Sequence, residues 1–184
     1  MESGQMAGKK RANEQDLRPD KVVVGWREWA NLPELHIPAI KVKIDTGAKT
    51  SALHAFDVKI FYQRGKRWVG FNIHPLQNNN TISRHCKAEL ADERVIKSSN
   101  GQEESRYVIR SGIQIGSLHQ NIYITLTNRD IMSYRMLLGR EAMCLLLVDP
   151  ATSFCQGKLS KKDSLAIYHA VDKPKQKRKK LRGD

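Results

Sequence analysis

The sequence predicts an all-β domain, a closed or sandwiched set of short strands. Three observations predict it. Apolar residues alternate with polar ones in several stretches, turn residues recur every ten residues or so, and long helical periodicity is absent. The chain has 184 residues, 40% of them hydrophobic. That suits one packed domain with tails and is too apolar for a wholly disordered chain. No internal repeat of solenoid length is visible.

Taken in order, Ala39 to Asp45 alternates strictly, with Ile40, Val42 and Ile44 on one face and Lys41 and Lys43 on the other. Period two is the mark of a half-buried strand. Val58 to Tyr62 and Arg67 to Ile73 read as two strands joined by a turn at Arg64-Gly65. Arg94 to Ser99 and Arg106 to Arg110 flank Asn100-Gly101, the strongest short hairpin signal, because both residues tolerate positive φ. Ile113 to Ile115 and Asn121 to Thr127 form another pair, turning at Gly116-Ser117. Met136 to Met143 reads as an apolar strand end, a glycine break and a short helical turn, and Leu145 to Val148 as a last strand.

The formal net charge is +13, which implies a negative partner: nucleic acid, an anionic surface or an acidic polypeptide. Its distribution is uneven. Residues 1–21 carry 5 basic and 4 acidic side chains, residues 22–172 carry 20 and 14, and residues 173–184 carry 7 and 1. The division expected is a flexible segment over 1–21, a β domain over 22–157, a C-terminal extension over 158–172 and a disordered basic tail over 173–184. The tail has almost nothing to bury and repels itself. It reads first as a solubility segment, with weak contact to RNA, DNA or an acidic protein as the alternative. The longest apolar run, Ala142 to Val148, is far shorter than the ~20 residues that a membrane span needs. No secretory signal is visible at Met1-Glu2-Ser3, and the three cysteines, Cys86, Cys144 and Cys155, do not make a disulfide framework. A soluble, cytoplasmic protein without membrane contact is expected.

The stretch with most chemistry is Lys43-Ile-Asp-Thr-Gly-Ala-Lys-Thr-Ser51. It puts the Asp45 carboxylate at the mouth of an apolar strand. Gly47 lets the backbone turn sharply and approach another chain closely, and Thr46 can hydrogen-bond across such an approach. Two carboxylates brought together cannot both ionise. They share a proton, giving an acid and a base in one site that can activate water against an amide. Asp-Thr-Gly alone is a weak signal, since Asp followed by Gly often marks a turn. Its order is what strengthens it: strand and Asp-Thr-Gly, then hairpins, then an apolar strand ending in Leu137-Leu138-Gly139-Arg140.

These pieces, with Gly25-Trp-Arg-Glu-Trp29, Leu32-Pro-Glu-Leu35, Arg94-Val-Ile-Lys-Ser-Ser-Asn-Gly101, Arg106-Tyr-Val-Ile109, Leu126-Thr-Asn-Arg-Asp130 and Met136-Leu-Leu-Gly-Arg-Glu-Ala142, resemble the retropepsin-like family historically labelled "ATP-dependent zinc protease" and associated with glutamate ligases of the ATP-grasp type. The resemblance covers residues about 22 to 157. It implies a small closed β-barrel of the acid-protease type, a single lobe. It also implies Asp45 as catalytic aspartate with Thr46 and Gly47 completing its loop, and the Asn100-Gly101 hairpin as a flap. With one Asp-Thr-Gly per chain, the dyad requires a homodimer. One departure stands out: Lys49 occupies the place where the family commonly has an acid that pairs with the arginine of the Gly-Arg element. Arg140 must therefore find another partner or face substrate. Lys49, Thr50, Arg94, Ser99, Asn100, Gly101, Arg106 and Arg140 are the candidate substrate-binding residues. The cations among them, with Arg129, point to an anionic substrate, and the resemblance to a family associated with glutamate ligases implies an acidic, glutamate-rich peptide.

Other chemistries are weaker. Gly4 to Lys10 lacks the spacing of a phosphate loop, and no His-Glu-x-x-His exists, so neither cofactor nor metal is assigned. A metal site assembled from His54, His74 and Cys86 is the residual route to metal-dependent hydrolysis. Asp130 and Asp149 read as turn carboxylates. Trp26, Trp29 and Trp68 read as core anchors rather than a base-stacking platform. The leading reading is an aspartic hydrolase of amide bonds. The alternatives are a non-catalytic barrel that binds RNA or an acidic protein, and the metal-dependent peptidase of the historical label.

Overall fold

Alternation over residues 39–45 does produce a strand, and the architecture is organised around it. The computed structural model describes residues 21–97, 101, 103–128 and 134–172. The N-terminal segment, the basic tail, Ser99, Asn100, Arg129 and Asp130 lie outside the described residues. The elements are β1 (Val22–Gly25), β2 (Arg27–Leu32), β3 (Ile37–Ile44), β4 (Ser51–His54), β5 (Phe56–Gln63) and β6 (Lys66–Ile73). Then follow β7 (Arg84–Lys97), β8 (Glu103–Ile115), β9 (Leu118–Thr127), β10 (Met136–Leu138), β11 (Leu146–Asp149) and a helix, α1 (Lys161–Asp172).

Strands β2-β3-β10-β4-β9-β8 neighbour one another in that order, and β2 pairs again with β8. The ring of six is a closed, mostly β barrel of the retropepsin-like kind. Closure is narrow: one backbone pairing, Asn31 with Gln114, supported by Asn31 Nδ2 donating to Gln114 Oε1 at 2.8 Å. The Glu34 carboxylate extends the seam. Its Oε2 accepts the Gly112 N–H at 2.6 Å and the Ser111 hydroxyl at 3.2 Å. The inward faces supply the core, including Leu32, Ile40, Val42, Leu53, Ile109, Ile124, Met136 and Leu138, all fully buried. β7, β6 and β5 continue the sheet beyond β8. The β5–β6 turn is Arg64-Gly65, at φ 50° and 74°, the positive pair that a two-residue hairpin of matching twist requires.

β10 is the element that positions the site. It comes from late in the chain yet sits between β3, to which it is parallel, and β4, to which it is antiparallel. Leu138 is thereby in register with Ile44, the residue before Asp45. β4 is buried at all four residues, as a central strand flanked on both edges must be.

Two features depart from the sequence expectation. The 158–172 extension ends in a twelve-residue helix. Its apolar stripe is too short to register as periodicity, since only Ser164 and Tyr168 are buried. Its start is nonetheless written in the chain: the Ser160 hydroxyl accepts the Asp163 N–H at 3.0 Å, an N-cap bond, and donates to the Asp163 carboxylate at 2.7 Å. Tyr168 anchors the helix on β3 through its hydroxyl, which donates to Ala39 O at 2.5 Å. The three tryptophans, expected in the core, are half-buried and outside it. Trp29 packs on the smaller cluster under α1, with Ala39, Leu76, Ile82 and Tyr168. Among the described residues no helix is long and apolar enough to cross a membrane.

Sequence reasoning also passed over Glu28. It is fully buried, and its carboxylate accepts the N–H groups of Gly25 and Cys155, both at 2.7 Å, and of Gln156 at 3.2 Å. It thus ties the β1–β2 junction to the chain after β11. Glu28→Ala strands three donors at once, and each unsatisfied buried donor costs about 1–3 kcal/mol. The expected loss is about 3 kcal/mol or more in urea unfolding, with Glu28→Gln intermediate.

Cys86 is buried, with its thiol donating to Leu35 O at 3.5 Å, whereas Cys144 and Cys155 are exposed. Burial pushes the Cys86 thiol up to about 12, so above pH ~9 the unfolded chain releases this proton before the native chain does. Stability therefore falls as pH rises from ~9 toward about 12. In native protein at pH 8, two thiols should react with iodoacetamide and the third only after unfolding. Cys86→Ala should flatten the alkaline loss of stability.

Candidate active site

Asp45 begins a loop with no strand partner of its own, so its backbone groups must be satisfied from elsewhere. The chain just after β10 does this. Asp45 N–H donates to Leu138 O at 2.9 Å, Arg140 N–H to Ala48 O at 2.9 Å and Glu141 N–H to Lys49 O at 3.0 Å. Gly139 N–H donates to Ser51 Oγ at 3.1 Å, and Ser51 O accepts the Thr125 hydroxyl at 3.0 Å. The two segments run so close that a Cβ on Gly139 would meet the Thr50 carbonyl carbon at 2.5 Å and Lys49 O at 2.8 Å. Within the chain, the close backbone approach is made at Gly139. A Cβ on Gly47 would meet only the Asp45 carboxylate.

The loop in turn orients its own carboxylate. Asp45 Oδ1 accepts the N–H groups of Gly47 at 3.1 Å and Ala48 at 3.3 Å. Both bonds fall on one oxygen, which restrains the group. Arg140 fastens the same turn from outside. Its Nη1 donates to Thr46 O at 2.8 Å and Gly47 O at 2.9 Å. With Lys49 in place of an acid, the arginine has found loop carbonyls as its partner. Lys49 pairs instead with Glu141, Nζ to Oε1 at 3.7 Å, while Glu141 Oε2 accepts the Thr50 hydroxyl at 3.0 Å.

Asp45 faces an open cleft of about 1010 Å³ whose lining includes Lys49, Thr50, Arg94, Arg106 and Glu141. Arg94 and Arg106 are direct cross-strand partners on β7 and β8. Like charges so placed repel, and each arginine has a carboxylate two residues earlier on its own strand to offset this. Arg94 Nε donates to Asp92 at 2.8 Å. Arg106, 7% exposed, donates to Glu104 through Nε at 2.9 Å and Nη2 at 2.7 Å. The Arg94 hydrogen bond, helped by the Glu93 N–H, holds the Asp92 carboxyl below the usual range.

Of the residues singled out in the sequence, Asp45, Gly47, Lys49, Thr50, Arg94 and Arg106 thus meet at one cleft. Thr46 and Arg140 belong to the loop and its brace. Gly101 is exposed, with φ 82°; β7 and β8 pair out to Lys97 and Glu103 on either side of it. Ser99 and Asn100 fall outside the described residues. Sequence reasoning missed Glu141, although it adjoins Arg140 in the quoted motif, and Glu104, whose signal was the acid–x–Arg spacing repeated as Asp92-x-Arg94 and Glu104-x-Arg106. Asp149 caps a turn by accepting Ala151 N–H at 2.9 Å. Of the residual metal trio, His74 stacks on Phe56 at 4.7 Å and its Nδ1 lies 3.1 Å from Ile82 O. Among the described residues no group of three or more His, Cys, Asp or Glu gathers as a metal site requires.

A family model described as "Retropepsin-like aspartic endopeptidase RimB" (RimB-like) matches residues 23–159. A probable alpha-L-glutamate ligase of Shewanella pealeana is 50% identical over 143 residues, 77% of this chain and 31% of that protein. One from Desulfotalea psychrophila is 44% identical over 149 residues, 80% of this chain and 32% of that protein. The chain spans about a third of the length of these curated relatives. A crystal structure of a protein of unknown function (DUF785) from Legionella pneumophila is 28% identical, with a TM-score of 0.63, covering 73% of this chain and 97% of that one.

The brace is testable apart from any activity. Arg140→Met should leave the barrel folded and speed amide hydrogen exchange at Gly47 and Ala48 at least about tenfold. Gly139→Ala, which forces backbone apart, should lower stability by about 2 kcal/mol or more in urea unfolding.

Proposed function

The chain belongs to the RimB-like family of retropepsin-like aspartic endopeptidases, and from that premise we propose that it is an aspartic-type hydrolase of amide bonds. The observation that carries the proposal is the Asp45 carboxylate, restrained through Oδ1 by its own loop and set at a cleft that also presents Lys49, Arg94 and Arg106. In this reading Asp45 of each of two copies shares one proton. The ionised carboxylate takes a proton from water, and the protonated one hydrogen-bonds the scissile carbonyl oxygen. The tetrahedral intermediate collapses as the amide nitrogen receives a proton. Exposed Val23 and Leu147, register partners on the β1–β11 ribbon, offer an apolar pair that a second copy would cover.

The substrate proposed is an acidic, glutamate-rich peptide. The cleft cations support it, because each is held by a carboxylate that a substrate carboxylate could replace. So does the similarity to longer chains described as probable alpha-L-glutamate ligases, which contain a stretch like this one.

Hydrolysis of glutamate-rich peptides should fall by about 10²–10⁴-fold in Asp45→Asn, with the circular dichroism spectrum unchanged. Equal cleavage by both proteins removes Asp45 from the mechanism. A species that sediments strictly as a monomer while active removes the shared dyad.

A further inference from the structure

A second concentration of positive charge lies on the outer face of β2 and β3. The register sets Arg27 beside Lys43 and Trp29 beside Lys41, and strand alternation turns all four outward. The chain after β11 folds against this face: Phe154 N–H donates to Arg27 O at 2.9 Å. Cations and rings interleave there. The Arg27 guanidinium carbon is 4.4 Å from the Trp26 ring centre and 4.9 Å from that of Phe154. The Lys41 ammonium is 5.1 Å from the Trp29 ring, and Trp29 and Phe154 stack at 6.5 Å. Lys161 joins Lys41 and Trp29 around a depression of about 220 Å³ that Asn78 and Asn79 also line. None of these residues lines the Asp45 cleft.

The charge here is handled differently from that in the cleft. Lys49, Arg94 and Arg106 each pair with a carboxylate. Among the described residues, Arg27, Lys41, Lys43, Lys158 and Lys161 form no such ion pair. Burial, then the neighbouring charges of Arg27 and Lys158, push the Lys41 ammonium below its usual value, so these cations repel one another. Arg27 Nε and Trp29 Nε1 are buried without an acceptor. A face that repels itself is stabilised by a polyanion, and the rings select which one. An acidic polypeptide would engage the cations and leave the rings unused, and a duplex presents no open base faces. A single strand uses both, phosphates on cations and bases against aromatic side chains. The spacing suits it: alternate residues along a strand are about 6.7 Å apart, close to successive phosphates of an extended single strand.

We propose that the outer face of β2–β3, with Lys158 and Lys161 beside it, is a binding site for single-stranded nucleic acid, separate from the peptide cleft. The test uses the full chain and a fluorescein-labelled oligouridylate of about 12 nucleotides in anisotropy titrations at several salt concentrations. Lys158→Glu with Lys161→Glu, both exposed, should weaken binding about tenfold or more and lower the salt slope. Peptide hydrolysis should be unchanged. Trp29→Leu, checked for its melting temperature, should weaken binding about fivefold or more. Lys59→Glu with Lys87→Glu, exposed cations on β5 and β7, should change it by less than about twofold. An equal loss in this control pair, or no loss in the Lys158/Lys161 pair, overturns the site. If folded Trp29→Leu binds as wild type does, or if poly-glutamate or duplex RNA competes as well as unlabelled single strand, the face is not a single-strand site. Should Trp29→Leu not fold, the lysine pairs and the competitors decide alone.

Discussion

The arrangement of the site depends on hydrogen bonds between the Asp45 loop and the chain that follows β10. A loop leaving a buried strand carries donors and acceptors that must be met. Here they are met by Leu138, Gly139, Arg140 and Glu141. The arrangement is possible because β10 enters the barrel between β3 and β4, and because Gly139 lets the two backbones run within a Cβ's width of each other. Arg140 reaches Thr46, 94 residues away in sequence. The carboxylate geometry is thus a property of the barrel's topology, although the residues 45–48 make the final two bonds to Oδ1 themselves.

Charge is organised in two ways in the same small domain. Around the cleft each cation has a carboxylate close by, even where Arg94 and Arg106 face each other across two strands. That permits guanidinium groups to sit close together in a groove, one of them almost fully buried, without leaving a buried charge unpaired. On the outer face of β2–β3 aromatic rings take the place of carboxylates. Cation–π contact holds the side chains in position and leaves their charge intact. The first arrangement suits exchange of one carboxylate for another; the second keeps a net positive field.

Much of the barrel was legible in the chain. The strict alternation of Ile40, Val42 and Ile44, the Arg64-Gly65 turn and the Gly-Arg break after Leu138 all translate into the elements they predict, because each is a short-range consequence of side-chain direction or backbone freedom. Ser160-x-x-Asp163 was equally local and was overlooked, because α1 buries so narrow a stripe. Trp26, Trp29 and Trp68 were misplaced for a different reason. Their size and apolar neighbours fit an interior, but for Trp29 alternation on β2 assigns the inward positions to Glu28, Ala30 and Leu32; Trp26 lies between β1 and β2, and Trp68 is on β6.

The strands, the candidate carboxylate and the excess of positive charge follow from residue identity and nearest-neighbour pattern. What each polar group meets follows from the folded arrangement instead. Glu28 looks like any surface acid until three N–H groups from both ends of the barrel domain converge on it. Arg140 could have faced substrate until the loop carbonyls reached it, and Arg94 and Arg106 became a facing pair only through the β7–β8 register. Such partners are far apart in the chain, and hydrogen bonds and ion pairs act over a few ångströms. Which of them form is decided by the closure of the barrel.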